Sequence, residues 1–449
     1  MNHRLHDLGQ RLRSGETSAE ALADEALAAA GAPDGEGGRV FISLYTDKAR
    51  AMARASDMLR KAGIVRSPLE GIPISIKDLF DVAGETTRAG SVALDDAPAA
   101  ARDATVVSRL VAAGAVLIGR TNMTEFAFSG LGLNPHYGTP LNPYDRAGRR
   151  IPGGSSSGAA VSVTDGMAAA AVGTDTGGSV RIPAALCGLV GFKPTAARVP
   201  QDGTLPLSHS LDSIGPIACS VACCALLDSV LADTPFDMPE APPLPGLRLA
   251  VPTTLVLDGM DKTVAATFRS ALDRLSQAGV RITELAVPEF AALAAINAKG
   301  GFAAAEAWHW HRALIEKAGS RYDPRVLMRI CRGADITAAD YLDLLAARAA
   351  WIAAVERRME PFDALVMPTV PVVAPRIADL EDDAAFGATN LLILRNPTLI
   401  NFLDGCALSI PCHAAGEAPV GLMLAGKRGS DRRIIASGLA VEAALAAAA

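Results

Sequence analysis

The sequence predicts an α/β protein built as one large domain, and three observations predict it. Short strand-like apolar segments alternate with helical ones along most of the chain. No internal repeat is visible. The 449 residues are 50% hydrophobic and 20% charged, enough to bury a core without a disulfide or metal staple.

The elements follow in order. TSAE at 17–20 reads as a capping box, Thr17 capping and Glu20 returning the bond, that opens an Ala-rich helix to about residue 30. A loop rich in Gly, Pro and acids covers 31–38, a second helix runs over 47–62, and residues 1–65 are expected to form a helical region. GIPISIK at 71–77 alternates, with Ile72, Ile74 and Ile76 on one face and Ser75 and Lys77 on the other. A helix at 106–113 leads to a short buried strand at 115–119, and 133–150 is a Pro/Asn/Gly-rich loop. Five prolines make 235–245 a connector, followed by a strand at 247–251 and a helix at 262–278. Residues 303–358 are largely helical and hold all three tryptophans, so a helical excursion is expected near 290–360. Segments 365–373 and 408–411 return to strand.

Charge and composition narrow the function classes. Lys+Arg 42 against Asp+Glu 48 gives a net charge of −6, with no basic patch for nucleic acid. Arginine outnumbers lysine 34 to 8, which makes a lysine on a buried strand conspicuous. Of seven cysteines, Cys219, Cys223 and Cys224 sit in the apolar run 217–227 without a second pair or a nearby histidine. They read as small buried thiols, not metal ligands. The apolar, uncharged stretch 213–227 is too short to span a bilayer and contains Pro216. Residues 1–10 carry charge and no apolar core of a secretory signal. A soluble, cytoplasmic protein without a membrane or nucleic-acid partner is expected.

The chemistry concentrates in GGSSSG at 153–158 and GTDTGGSVRIP at 173–183, two glycine turns that end in hydroxyl residues. Such turns leave backbone N–H groups open to an anion, either a phosphate or the oxyanion of a tetrahedral intermediate. Three readings compete. A phosphate loop would need a lysine after its second glycine, or a strand before Gly-x-Gly-x-x-Gly, and neither is present. A nucleophile elbow around Ser156 would need a strand before it, where a loop is expected. The third reading is a serine activated by lysine. A buried amine whose pKa has fallen toward neutrality can take a hydroxyl proton, and Lys77 with Ser155 and Ser179 could form the relay. A purely structural use of the glycines and serines stays open.

Six segments in order, at 71–77, 119–126 (GRTNMTEF), 153–158, 173–183, 188–195 (GLVGFKPT) and 210–216 (SLDSIGP), resemble the amidase signature family. The likeness is dense over 66–220, the expected signature core, and thinner through 365–373 and 396–424. It implies a mixed central β-sheet covered by helices on both faces. It also implies Lys77 as base, Ser155 as bridging serine with a cis peptide, and Ser179 as acyl-forming nucleophile. Oxyanion donors would be the N–H groups of Thr176, Gly177, Gly178 and Ser179, with Asp175 and Arg181 fixing their loop. Ser156 and Ser157 would cap the following helix, Ala127 and Ser129 would line the acyl pocket, and the 290–360 excursion would shape it. The substrate implied is a small-molecule carboxamide, with no metal and no cofactor, and a homodimer is left open.

Two rivals are the glutaminase component of a tRNA-dependent glutamine amidotransferase complex and a catalytically silent binding protein. Thr124, where those glutaminase components usually carry an acid, and the missing Tyr-rich stretch before Leu365 weigh against the first. The intact Lys77, Ser155 and Ser179 weigh against the second. Trp308, His309, Trp310 and His311 cannot all face one site on a helix, and His209 and His413 read as isolated structural histidines.

Overall fold

Parallel strands stand side by side where the two glycine turns meet. The computed structural model describes residues 4–446, and eleven strands form one sheet. They are β1 (Phe41–Leu44), β2 (Pro73–Lys77), β3 (Val116–Thr121), β4 (Ala170–Thr174), β5 (Val190–Lys193) and β6 (Ile214–Ala218). The remainder are β7 (Arg248–Pro252), β8 (Arg281–Leu285), β9 (Ala364–Pro368), β10 (Cys406–Pro411) and β11 (Gly421–Gly426). Their spatial order is β1-β3-β2-β4-β6-β5-β10-β11-β9-β7-β8. β2 runs parallel to β3 and β4, β7 runs parallel to β8 and β9, and the other neighbours are antiparallel. The sheet is mixed and flanked by helices, as expected.

Several local expectations shift. Ser18, not Thr17, caps helix Ala19–Ala30, accepting from Ala21 N at 3.1 Å. Glu20 returns no bond to Thr17, whose N–H donates to Arg11 O at 3.3 Å, while Asp57 of helix Thr46–Lys61 takes the N–H groups of Ala19 and Glu20 at 2.8 and 3.0 Å. Residues 1–65 are not wholly helical, since they supply edge strand β1. The apolar run 217–227 divides: β6 ends at Ala218, and Ser220 caps helix Val221–Ala232 by accepting from Cys223 N. β2 keeps to the expectation that Lys77 enters a structured face, since every residue of the strand is buried. Ser75 is accommodated there by a 2.8 Å bond between its Oγ and Ser162 Oγ.

The reading of 1–10 as free of a secretory signal falls partly on residues 1–3, which lie outside the described residues; helix Leu5–Ser14 follows. No described helix is long and apolar enough to cross a membrane.

Candidate active site

Lys77 is the last residue of β2. The parallel register that sets Ile76 opposite Val172 brings its end beside Thr174, the end of β4. The carboxyl ends of parallel strands, where the chain leaves the sheet, are where α/β folds have room for a site. The lysine is fully buried, and its Nζ donates to Ser155 Oγ at 2.7 Å and Thr174 Oγ1 at 2.9 Å. Burial pulls its pKa down to about 7, against the opposing pull of Asp212 and Asp175. Next to it, Asp78 is held at 2.7 Å by the buried Arg120, which pins the strand end.

Ser155 enters through a turn only glycine can make. A side chain at Gly154 would place its Cβ 2.5 Å from the Gly132 nitrogen, and the Gly154–Ser155 peptide is cis. Ser155 O accepts from Thr124 N at 3.0 Å, and Ser156 N donates to Ser179 O at 3.3 Å, so the two serine loops are tied together. Ser156 stands at the cap position of helix Ser157–Thr164 but makes no side-chain cap. Its hydroxyl donates to Thr174 O at 3.4 Å, and that of Ser157 to Asn122 O at 3.5 Å. The expected capping gives way because both hydroxyls are buried against carbonyls of neighbouring loops.

The loop after β4 is organised by the buried Asp175. Its carboxylate accepts from Gly178 N (2.9 Å), Val180 N (3.2 Å) and Arg181 N (3.3 Å). It also takes two bonds from the Arg181 guanidinium, at 3.0 and 2.8 Å. Asn401 Nδ2 adds a bond at 2.8 Å. Burial alone would raise the Asp175 pKa; Arg181 and these donors hold it well below the usual carboxylate range. The Gly178 N–H, expected as an oxyanion donor, is therefore already spent on Asp175. Its backbone also takes a shape that favours glycine: φ is +123°, and an added Cβ would lie 2.6 Å from Pro397 Cβ. Among the described residues, the N–H groups of Thr176, Gly177 and Ser179 donate to no protein acceptor. Thr176 Oγ1 donates to Asp212 Oδ1, and burial raises the Asp212 pKa to about 6 against that bond and the N–H groups of Ser208 and Leu207.

Ser179 lines a cavity of about 260 Å³, together with Ala127, Ser129, Thr176 and Gly177, whereas Ser156 does not. No Ser155–Ser179 hydroxyl bond forms among the described residues, so one link of the expected relay is made and the other is open. Catalytic bonds of this kind often close only with substrate in place. Ser129 Oγ donates to Asn390 Oδ1 at 2.9 Å. Ala303, Ala304, Arg329 and Arg332 supply further wall from the 290–360 excursion.

Thr174, Asp212, Asn390, Asn401, Arg329 and Arg332 carry no sequence signal of their own, although Thr174 and Asp212 lie inside two of the six motifs. None of Trp308 to His311 lines the Ser179 cavity. Trp308, His309 and Trp310 border a separate cavity of about 990 Å³ with His209. His311 is buried, bonded to Tyr322 OH at 2.9 Å, and burial lowers its pKa to about 3. His413 Nδ1 accepts from Val420 N. Cys219 and Cys223 place their sulfurs 3.8 Å apart, and no group of three His, Cys, Asp or Glu side chains among the described residues is placed to hold a metal.

Comparison with known proteins bears on this geometry. The family model described as Amidase matches residues 38–435. A 2-amino-5-chloromuconic acid deaminase of Comamonas testosteroni is 38% identical over 88% of this chain and 86% of that protein. The A-type subunit of the glutamyl-tRNA(Gln) amidotransferase of Chloroflexus aggregans is 36% identical over 93% of this chain and 91% of that protein. The crystal structure of an amidase superposes with a TM-score of 0.88 at 32% identity, covering 99% of both chains. With a family match across most of its length and its glycine turns placed where two parallel strands end, the chain belongs to the amidase signature family of enzymes acting on C–N bonds.

Proposed function

We propose that the chain hydrolyses the C–N bond of a small-molecule carboxamide through an acyl-enzyme on Ser179. The observation that carries the reading is a fully buried lysine, its pKa lowered to about 7, bonded to a serine on a loop tied to Ser179. In this reading neutral Lys77 takes the Ser155 proton as Ser155 takes that of Ser179, and Ser179 Oγ bonds to the amide carbon. The uncommitted N–H groups of Thr176, Gly177 and Ser179 receive the oxyanion, each such donor being worth about 3 kcal/mol. Asp175 and Arg181 hold the loop in place. The C–N bond then breaks, and the proton returns through Ser155 to the departing nitrogen. Water cleaves the ester, leaving a carboxylate and ammonia or an amine. The Comamonas relative, named for a small amino-substituted acid, supports a small-molecule substrate.

Two results test this. A fluorophosphonate probe should label Ser179, read by peptide mass; labelling at Ser156 instead would favour the elbow chemistry. The neutral form of Lys77 is the competent base, and its fraction rises with pH through about 7. For an uncharged amide, kcat/KM should therefore climb about tenfold per unit below that pH and level off above it. A profile flat from pH 5 to 8 removes Lys77 from the base role.

The likeness to the Chloroflexus protein favours a second reading, the glutaminase component of an amidotransferase complex. Glutaminase activity that requires a co-purifying partner from the native host would establish it. A chain inert toward a panel of amides, esters and hydrazides would support a non-catalytic binding role.

A further inference from the structure

The walls of the Ser179 cavity are charged on one sign only. Arg329, on helix Pro324–Cys331, and Arg332 just beyond it both line the cavity, and no described lining residue is acidic. Neither arginine has a carboxylate within ion-pair distance among the described residues. Arg329 is half-buried; it donates to Phe128 O at 2.6 Å and lies over the Phe386 ring at 5.1 Å. Arg332 Nη2 donates to Ala298 O at 3.2 Å. One turn earlier on the same helix, Arg325 is neutralised by Asp383 at 2.7 Å. Of the acids nearest in sequence, Asp323 is turned to the helix start, where it accepts from Arg325 N, and Asp335 forms no ion pair with either arginine among the described residues.

A half-buried guanidinium without a counter-ion is unfavourable unless something negative arrives to complete it. Its planar fork matches a carboxylate in bidentate geometry. The space is small as well. The cavity measures about 260 Å³.

We propose that the site selects carboxamides bearing a free carboxylate, the half-amides of short dicarboxylic acids, with Arg329 and Arg332 holding the carboxylate while the amide lies at Ser179. The inference rests on the amidase reading above and specifies its substrate class. The remaining lining is apolar, with Leu207, Leu211, Leu391 and Leu394 suited to a short hydrocarbon spacer.

Succinamate and butyramide share a four-carbon skeleton and differ in carboxylate against methyl, so their kcat/KM ratio at pH 8 isolates the preference. The wild-type chain should favour succinamate at least tenfold. Arg329→Gln and Arg332→Gln should each cut that ratio at least fivefold through a raised succinamate KM, with partial rescue by Arg329→Lys. Arg332 is exposed, so its variant does not depend on the fold tolerating a buried change.

Binding is measured separately by calorimetry on Ser179→Ala, where uncleaved succinamate should bind at least tenfold tighter than butyramide. Equal turnover of the two amides, or a ratio unchanged in both arginine variants, overturns the selectivity and leaves the amidase reading standing. If neither amide is hydrolysed, binding decides the anion site. Preferential succinamate binding then upholds it, and equal or absent binding overturns it.

Discussion

Replacing Lys77 with methionine is expected to lower amide turnover on the order of 10³-fold or more while making the folded chain more stable. Both effects have one cause. Methionine fills nearly the same volume but cannot take a proton from Ser155, so the relay loses its driving base. The native lysine is held at a pKa of about 7 by burial, against about 10.4 in an unfolded chain. Between those values the unfolded state binds more protons, so this group weakens the fold most at and below neutral pH, and the penalty fades as pH rises toward 10. At pH 7 it amounts to about 4 kcal/mol. Denaturant midpoints should therefore rise in the variant at pH 7 and converge with wild type near pH 10. Lys77→Ala should be equally inactive but gain less, because it leaves a void. Wild-type turnover in either variant sinks the mechanism.

Arg181→Met should act in the opposite direction on stability. Arg181 is fully buried; it holds Asp175 through two bonds and also donates to Asn401 Oδ1 at 2.7 Å and Pro397 O at 3.0 Å. Removing one partner of a buried pair strands the other charge, at a cost of about 3–5 kcal/mol. Chemical denaturation should show that loss, and amide turnover should drop with it because Asp175 sets the shape of the loop bearing Ser179. Asp175→Asn on top of Arg181→Met should recover part of the stability, since no ionised carboxylate is left behind. A single variant as stable as wild type would contradict the buried-pair account.

Much of the site is readable because its residues lie in local patterns. Ile72, Ile74 and Ile76 give β2 away, and the strand puts Lys77 where a lysine is costly. The glycine turns mark the loops of Ser155 and Ser179. What stays hidden comes from elsewhere in the chain. β4 reads AAVGT, too small-residued to announce a strand, and only pairing with β2 brings Thr174 to the lysine. The alternation in β2 sends Lys77 into a structured face, but only the fold shows that Ser162 and Ser155 are what satisfy its polar residues. Helix Asp383–Phe402 carries Pro397, a residue that argues against a helix interior, yet it delivers Asn390 and Asn401. Gly178 looks like an oxyanion donor because nothing nearby in sequence reveals that Asp175 turns back to claim its N–H.

The residues proposed to break the bond and much of the cavity wall come from separate stretches of polypeptide. Lys77, Ser155 and Ser179 hang from strand ends and tight turns inside the first two hundred residues, whereas Arg329, Arg332, Leu391 and Leu394 lie on helical segments more than a hundred positions later. Variation in the later stretch can therefore retune what is admitted without disturbing how it is cut. For protein engineers, that makes the segment from 300 to 332 the place to graft new preferences, with the sheet left untouched as a fixed chassis.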